Sequence, residues 1–325
     1  IRDRESFVLG LLWNPATHLV NFGSNLAVAF GQIVERSAAR QISRIRGAED
    51  GVVQGEALAM TYGLVTALRE ALRLAGRSIA SGETGLALGK IDLPRRRAFS
   101  ADQLSLSSET GLGRAIDYMG NTTRVPGLLL GAGDEFFKTI GYRMELHAHA
   151  LRQATSEGLE GPEIARRMGE IVSNPPENIR IAAADAALYN TFTQKPGGFA
   201  QKLMQLRNVG DFNPLFLVLP FLRTPMNILR YSFERTPLAP AVGQWRADIL
   251  AGGPRADIAL ARMAVGSTIM SVTFSLAYDG AITGSGPKDP AKRAALQRQG
   301  WQPNSVWVNG AWHSYNRADP YGMIM

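Results

Sequence analysis

DEFFKTIGYRMELHAHALRQATSEG, residues Asp134 to Gly158, is the stretch that decides the structural class. Its Phe137, Ile140, Met144, His147 and Leu151 recur at steps of three and four, so a helix would carry them all on one face. Asp134 and Glu135 open the run, where carboxylates are favoured by the positive end of the helix dipole, and a helix-start role is expected for them. Gly158 is a natural stop.

The same period extends outward in both directions. From Phe7 to Arg46 it is carried by Leu11, Leu12, Leu19, Phe22, Leu26, Phe30, Ile33 and Val34, with Asn14-Pro15 marking the helix start. A second run covers Val52 to Ser81, ends at Gly82, and has Arg69, Glu70, Arg73 and Arg77 on its polar side. Further helices are expected over Ser107 to Gly120, Glu160 to Val172 and Glu177 to Phe192, separated by Asn121 to Pro126 and by Pro175-Pro176. Thr224-Pro225 starts another, through Arg235, and Pro237 and Pro240 stop it. Little alternates with period two, so the chain reads as mainly α, an extended helical bundle. The exception lies near the end: Asp289 as N-cap, Pro290 in the first turn and Gly300 as stop define a short basic helix. Asn309-Gly310 then separates Val306-Trp307-Val308 from Ala311-Trp312-His313-Ser314-Tyr315, which predicts a small C-terminal β-hairpin.

Three regions follow: 1–97, an N-terminal helical segment and basic linker; 98–285, a central helical body; and 286–325, the helix and Trp-rich hairpin. Two apolar segments stand out in the body. Residues 212–222 are uncharged but carry two prolines and are too short to span a bilayer. Residues 263–278 contain no charge and fall just short of a span, so Met263, Ile269, Met270 and Phe274 mark either a buried or oligomer-forming helix or a membrane-inserting one.

Composition narrows the function. With 325 residues and 45% hydrophobic content the chain can bury a sizeable core, so disorder is not expected for most of it. Its 35 Lys+Arg against 28 Asp+Glu give +7, which suits nucleic acid or an anionic lipid surface and equally a solvated basic surface. There is no cysteine, which excludes disulfides, thiolate zinc sites and a thiol nucleophile. The opening Ile1-Arg2-Asp3-Arg4-Glu5 and the closing Pro320 to Met325 read as cut from a longer chain, and no secretory leader is expected at the start.

Candidate sites are few. Arg95, Arg96 and Arg97 are a candidate phosphate or anionic contact in a Gly-rich connection. His147 and His149 stand two apart on one helix, about 200° around it, so a shared metal is not expected and hydrogen-bonded core histidines are. Trp301, Trp307, Trp312 and Tyr315 are a candidate subunit contact, or the large side chains that a hairpin this small needs for its own packing. No nucleophile elbow, phosphate-binding loop, dinucleotide fingerprint or zinc-protease motif occurs, and neither catalytic residues nor a cofactor are expected. Glu5-Ser6 resembles the pair that opens the catalytic motif of lytic transglycosylases, but the expected Gly-Leu-Met-Gln does not follow, Leu203-Met204-Gln205 lacks its glycine context, and the match reads as chance.

A series of motifs carries a resemblance. Asp134-Glu135-Phe136-Phe137-Lys138, Asn174-Pro175-Pro176, Thr191-Phe192-Thr193, Pro220 to Asn227, Glu234-Arg235-Thr236-Pro237, Gly284 to Pro290 and Gly300-Trp301-Gln302-Pro303 occur in that order. Together they resemble the helical region of the internal virion, or ejection, proteins of short-tailed phages, large polyproteins that often carry other domains upstream. The resemblance runs from about Asp134 to Gly322 and, more loosely, back to Asn14-Pro15. It implies a non-enzymatic virion protein held inside the capsid near the portal and ejected into the host periplasm and inner membrane to help build a conduit for DNA. It also implies contacts with other internal virion proteins, the portal and copies of itself, with phage DNA close by. Two alternatives remain at this point: a peptidoglycan-degrading fragment acting through Glu5, and a DNA-binding virion module acting through Pro94 to Arg97.

Overall fold

A computed structural model describes residues 13–48, 50–81, 107, 109–122, 125–195, 201 and 223–325. Among these the protein is mainly α, with ten α-helices and one two-stranded antiparallel hairpin near the C-terminus. The helices are α1 Pro15–Arg46, α2 Glu56–Ser81, α3 Gly111–Thr122, α4 Val125–Ser156, α5 Pro162–Ser173, α6 Glu177–Asn190, α7 Arg223–Phe233, α8 Gly243–Ala251, α9 Gly253–Tyr278 and α10 Pro290–Arg298. The strands are β1 Ser305–Val308 and β2 Ala311–Ser314. The arginine triplet 95–97, the apolar segment 212–222 and Glu5 lie outside the described residues.

The chain forms two compact units that do not follow consecutive segments. One takes residues up to Ile33 and then Val53 to Asn227; the other takes Val34 to Val52 and Ile228 to Met325. Helices α1 and α7 therefore each contribute to both.

In the first unit, α1 starts where Asn14 caps it, its side-chain oxygen accepting from the Ala16 N–H at 3.0 Å. The core joins Ala29 of α1, Met60, Ala67 and Ala71 of α2, and Ile140, Met144 and Ala148 of α4. Ala67 and Ala71, one turn apart on α2, and Ala29 and Ala148 on its neighbours let these helices approach closely. Two arginines of α4 fasten α2: Arg143 donates twice to Glu70, at 2.9 and 2.6 Å, and Arg152 grips both oxygens of Glu56. A second cluster packs Leu146 and Ala150 of α4 against Ile171 of α5 and Ile179 and Ala183 of α6.

One expectation fails here. Helix α4 begins at Val125, not Asp134, so Asp134 and Glu135 sit in its third turn and cannot serve the helix start. The sequence places a break at Asn121 to Pro126, and Gly127, Gly131 and Gly133 each weaken a helix in isolation. Burial of Pro126, Gly127, Gly131 and Ala132 holds them in the helix instead, with Pro126 tolerated in the first turn.

In the second unit, Ala39, Val52 and Ala261 form a small core with Ala38, Ile42 and Ile258 packed on it. The buried carboxylate of Asp257, in the first turns of α9, accepts from the Val52 N–H at 3.1 Å and from Arg46 at 2.6 Å. Helix α8 is tied to α9 by Trp245, whose indole N–H donates to the Ala259 carbonyl at 3.1 Å. The hairpin forms as its sequence predicts: Ser305 pairs with Ser314 and Val308 with Ala311. Asn309 and Gly310 have φ of 50° and 84°, the left-handed pair that a tight two-residue turn needs. Asp289 caps α10 by accepting from the Ala291 N–H at 2.9 Å.

Candidate functional site

The second half of α9 is an extended apolar surface with no charge in it. Its first half is anchored. Ala256, Asp257, Ala259 and Ala261 are buried, and Gly266 lies against the backbone of Arg235 so closely that a Cβ there would stand 1.9 Å from the Arg235 carbonyl oxygen. Beyond Gly266 only Thr273 is buried within the helix.

The anchor rests on a buried charge cluster. Arg235, at the turn after α7, donates to both oxygens of Glu35 on α1, at 2.7 and 2.8 Å, and to the Tyr231 carbonyl at 3.0 Å. Its guanidinium also lies over the Tyr231 ring. Arg262 of α9 approaches Glu35 at 3.7 Å and Glu234 at 3.9 Å. Sequence reading missed this cluster, since nothing local marks Glu35 and Arg235 as partners across so long a separation.

Past the anchor, Met263 and Ile269 are half-buried, while Met270 and Phe274 are exposed, Phe274 at 75%. Val272, Leu276 and Tyr278 are exposed as well, Tyr278 at 87%. Two hydroxyls on this stretch are satisfied inside the helix: Thr268 donates to the Ala264 carbonyl and Ser271 to that of Ser267, both at 2.9 Å. Covering the face with an apolar surface therefore strands neither of those donors. Among the described residues, Gly253–Tyr278 is also the one helix long and apolar enough to cross a membrane by length and composition.

The hairpin is attached directly beyond this helix. The Trp307 N–H donates to the Ala281 carbonyl at 2.8 Å, the Thr283 N–H to Ser305 at 2.9 Å, and the Tyr315 hydroxyl to the Thr283 carbonyl at 2.7 Å. The four aromatics divide their work. The Trp301 ring lies over Gly286, Tyr315 is tied down by its hydroxyl, and Trp312 meets Trp307 edge to face at 5.1 Å. Of the four, Trp307 keeps the largest exposed surface.

The histidines serve packing. His147 is buried, its Nδ1 donates to the Arg143 carbonyl at 2.8 Å, and its ring meets Tyr62 edge to face. Burial pushes its pKa below the usual histidine range, partly opposed by that hydrogen bond. His149 turns to Glu145 at 3.9 Å. Asp134 pairs with buried Lys138 at 2.6 Å, and burial raises its pKa while Lys138 opposes the rise. No group of three or more His, Asp or Glu placed to hold a metal occurs among the described residues.

In comparisons with known proteins, no family model, no curated protein and no solved structure matches the chain.

Proposed function

We propose that the chain is a structural internal virion protein of a short-tailed bacteriophage, packaged near the portal and ejected into the host envelope to help form a conduit for the genome. The observation that carries this reading is the second half of α9, a charge-free helix with the Thr268 and Ser271 hydroxyls satisfied internally and Met270, Val272, Phe274, Leu276 and Tyr278 exposed. Such a face needs a cover. In the particle that cover is a neighbouring virion protein, the portal or another copy; after ejection it is the lipid of the host inner membrane.

The ordered motif series from Asp134 to Gly322 supports the same assignment, and a +7 chain suits DNA passing close by. A helical chain without cysteine has no disulfide to undo on its way through a narrow tail. Residues 263–278 would extend about 24 Å as a helix, short of the ~30 Å hydrocarbon core, so they enter lipid together with a second apolar segment. The role is structural, with no catalytic step.

The test is Ser271→Arg in the phage, which sets a charge on this face. Failure to assemble means that the face is covered in the particle; particles that assemble but do not infect mean that it matters after ejection. Normal assembly and infection would refute the reading, as would electron microscopy of virions that locates no copies in capsid, tail or conduit.

A further inference from the structure

Helix α2 carries two apolar lines on opposite sides. Met60, Ala67, Ala71 and Leu74 are buried in the first unit, which accounts for one of them. The other consists of Leu58, Val65, Leu72 and Ile79, seven residues apart throughout, with Leu68 three residues after Val65 and Tyr62 alongside. All six are exposed, Leu58 at 73%, Val65 at 58% and Leu72 at 65%. A helix packed on one side ordinarily turns polar residues to the other. A strict seven-residue apolar repeat is what a second helix reads when it pairs along the first, because it keeps the seam facing the partner over several turns.

We infer that this face of α2 is a self-association seam, where α2 of a second copy of the chain packs parallel and in register. Area and charge both favour that occupant. The six exposed side chains present roughly 600 Å² per copy, so a pair would bury about 1,200 Å² in all, the lower end of the range for specific protein interfaces. Arg69, Arg73 and Arg77 are exposed along a single flank of the seam. An antiparallel pair centred near Leu68 would bring the two Arg69 side chains to the same edge. A parallel pair sets them on opposite edges, and the repulsion is avoided. The inference does not rest on the virion assignment, since the seam and its charges belong to α2 whatever the protein does.

The absence of cysteine makes the test direct. Val65→Cys and Leu72→Cys are introduced singly into the 325-residue chain, with Arg73→Cys as an exposed control off the seam, and each is oxidised mildly at micromolar concentration. The expected result is a disulfide-linked dimer from each seam position, well above the control. Sedimentation of the unmodified chain should show a reversible dimer, and Val65→Glu with Leu72→Glu should weaken it at least roughly thirtyfold while leaving the helical circular dichroism intact. A monomer at all concentrations, or a dimer that does not cross-link at the seam, overturns the inference. Flotation with phosphatidylglycerol vesicles that is lost on Leu72→Asp, without any cross-link, also overturns it and assigns the face to lipid.

Discussion

Gly266→Ala should destabilise the second unit, against the ordinary sign of that substitution. In an open helix interior, alanine in place of glycine gains about 1 kcal/mol. At Gly266 the new Cβ would stand 1.9 Å from the Arg235 carbonyl oxygen, 2.6 Å from the Arg235 Cβ and 2.7 Å from its carbonyl carbon. Two of these three atoms are backbone, so no rotamer change relieves the overlap. Helix α9 and the turn after α7 must part by about 1.5 Å to restore ordinary contact. Overpacking of this kind costs about 1–3 kcal/mol, and the movement also loosens Arg262 from Glu35 and Glu234. The net loss should be about 2 kcal/mol, read as a fall of about 8 °C in the melting of the second unit. The matched control is Gly76→Ala on α2, where a Cβ meets nothing within 4 Å and which should gain about 0.5–1 kcal/mol. Calorimetry of both variants measures the contrast. If Gly266→Ala melts at or above the parent while Gly76→Ala behaves as expected, α9 does not lie against that turn and the anchor is misassigned.

Glu35→Gln leaves Arg235 as a buried charge without its counterion and should cost about 3–5 kcal/mol in urea unfolding; adding Arg235→Met should recover part of the loss, and no recovery would show that the pair is not the source. For His147, burial lowers the folded pKa below the unfolded value of 6.5, so its stabilising contribution is complete above 6.5 and is lost as pH falls from there through the folded pKa. Stability of the first unit, measured between pH 7.5 and 5, should therefore fall more steeply in the parent than in His147→Gln, and equal slopes would contradict the burial argument.

Much of the fold follows from local pattern. The three- and four-residue spacing of Phe137, Ile140, Met144 and His147 locates α4, because one-sided apolar periodicity is a property of the helix itself. Asp289-Pro290 and Asn309-Gly310 locate α10 and the hairpin, because a cap and a left-handed turn depend on a few adjacent residues. The early start of α4 was not legible: Gly127 and Gly131 weaken a helix in isolation, and only their burial holds them in it.

The candidate site divides along the same line. The charge-free run from Met263 to Tyr278 is visible in the sequence alone, but whether it is core or surface is not. Apolarity drives burial without naming what buries it. Tertiary structure decides that: Gly266 against Arg235 and the Glu35–Arg235 pair cover the first half of α9, while the second half runs on past them, exposed. The same holds for α2, whose seven-residue repeat can be read by eye but whose exposure appears only once α4 has taken the opposite face. Periodicity and caps are set by neighbours in the chain, so sequence determines them; which of two apolar faces stays open is set by residues far apart in it, so only the packed structure does.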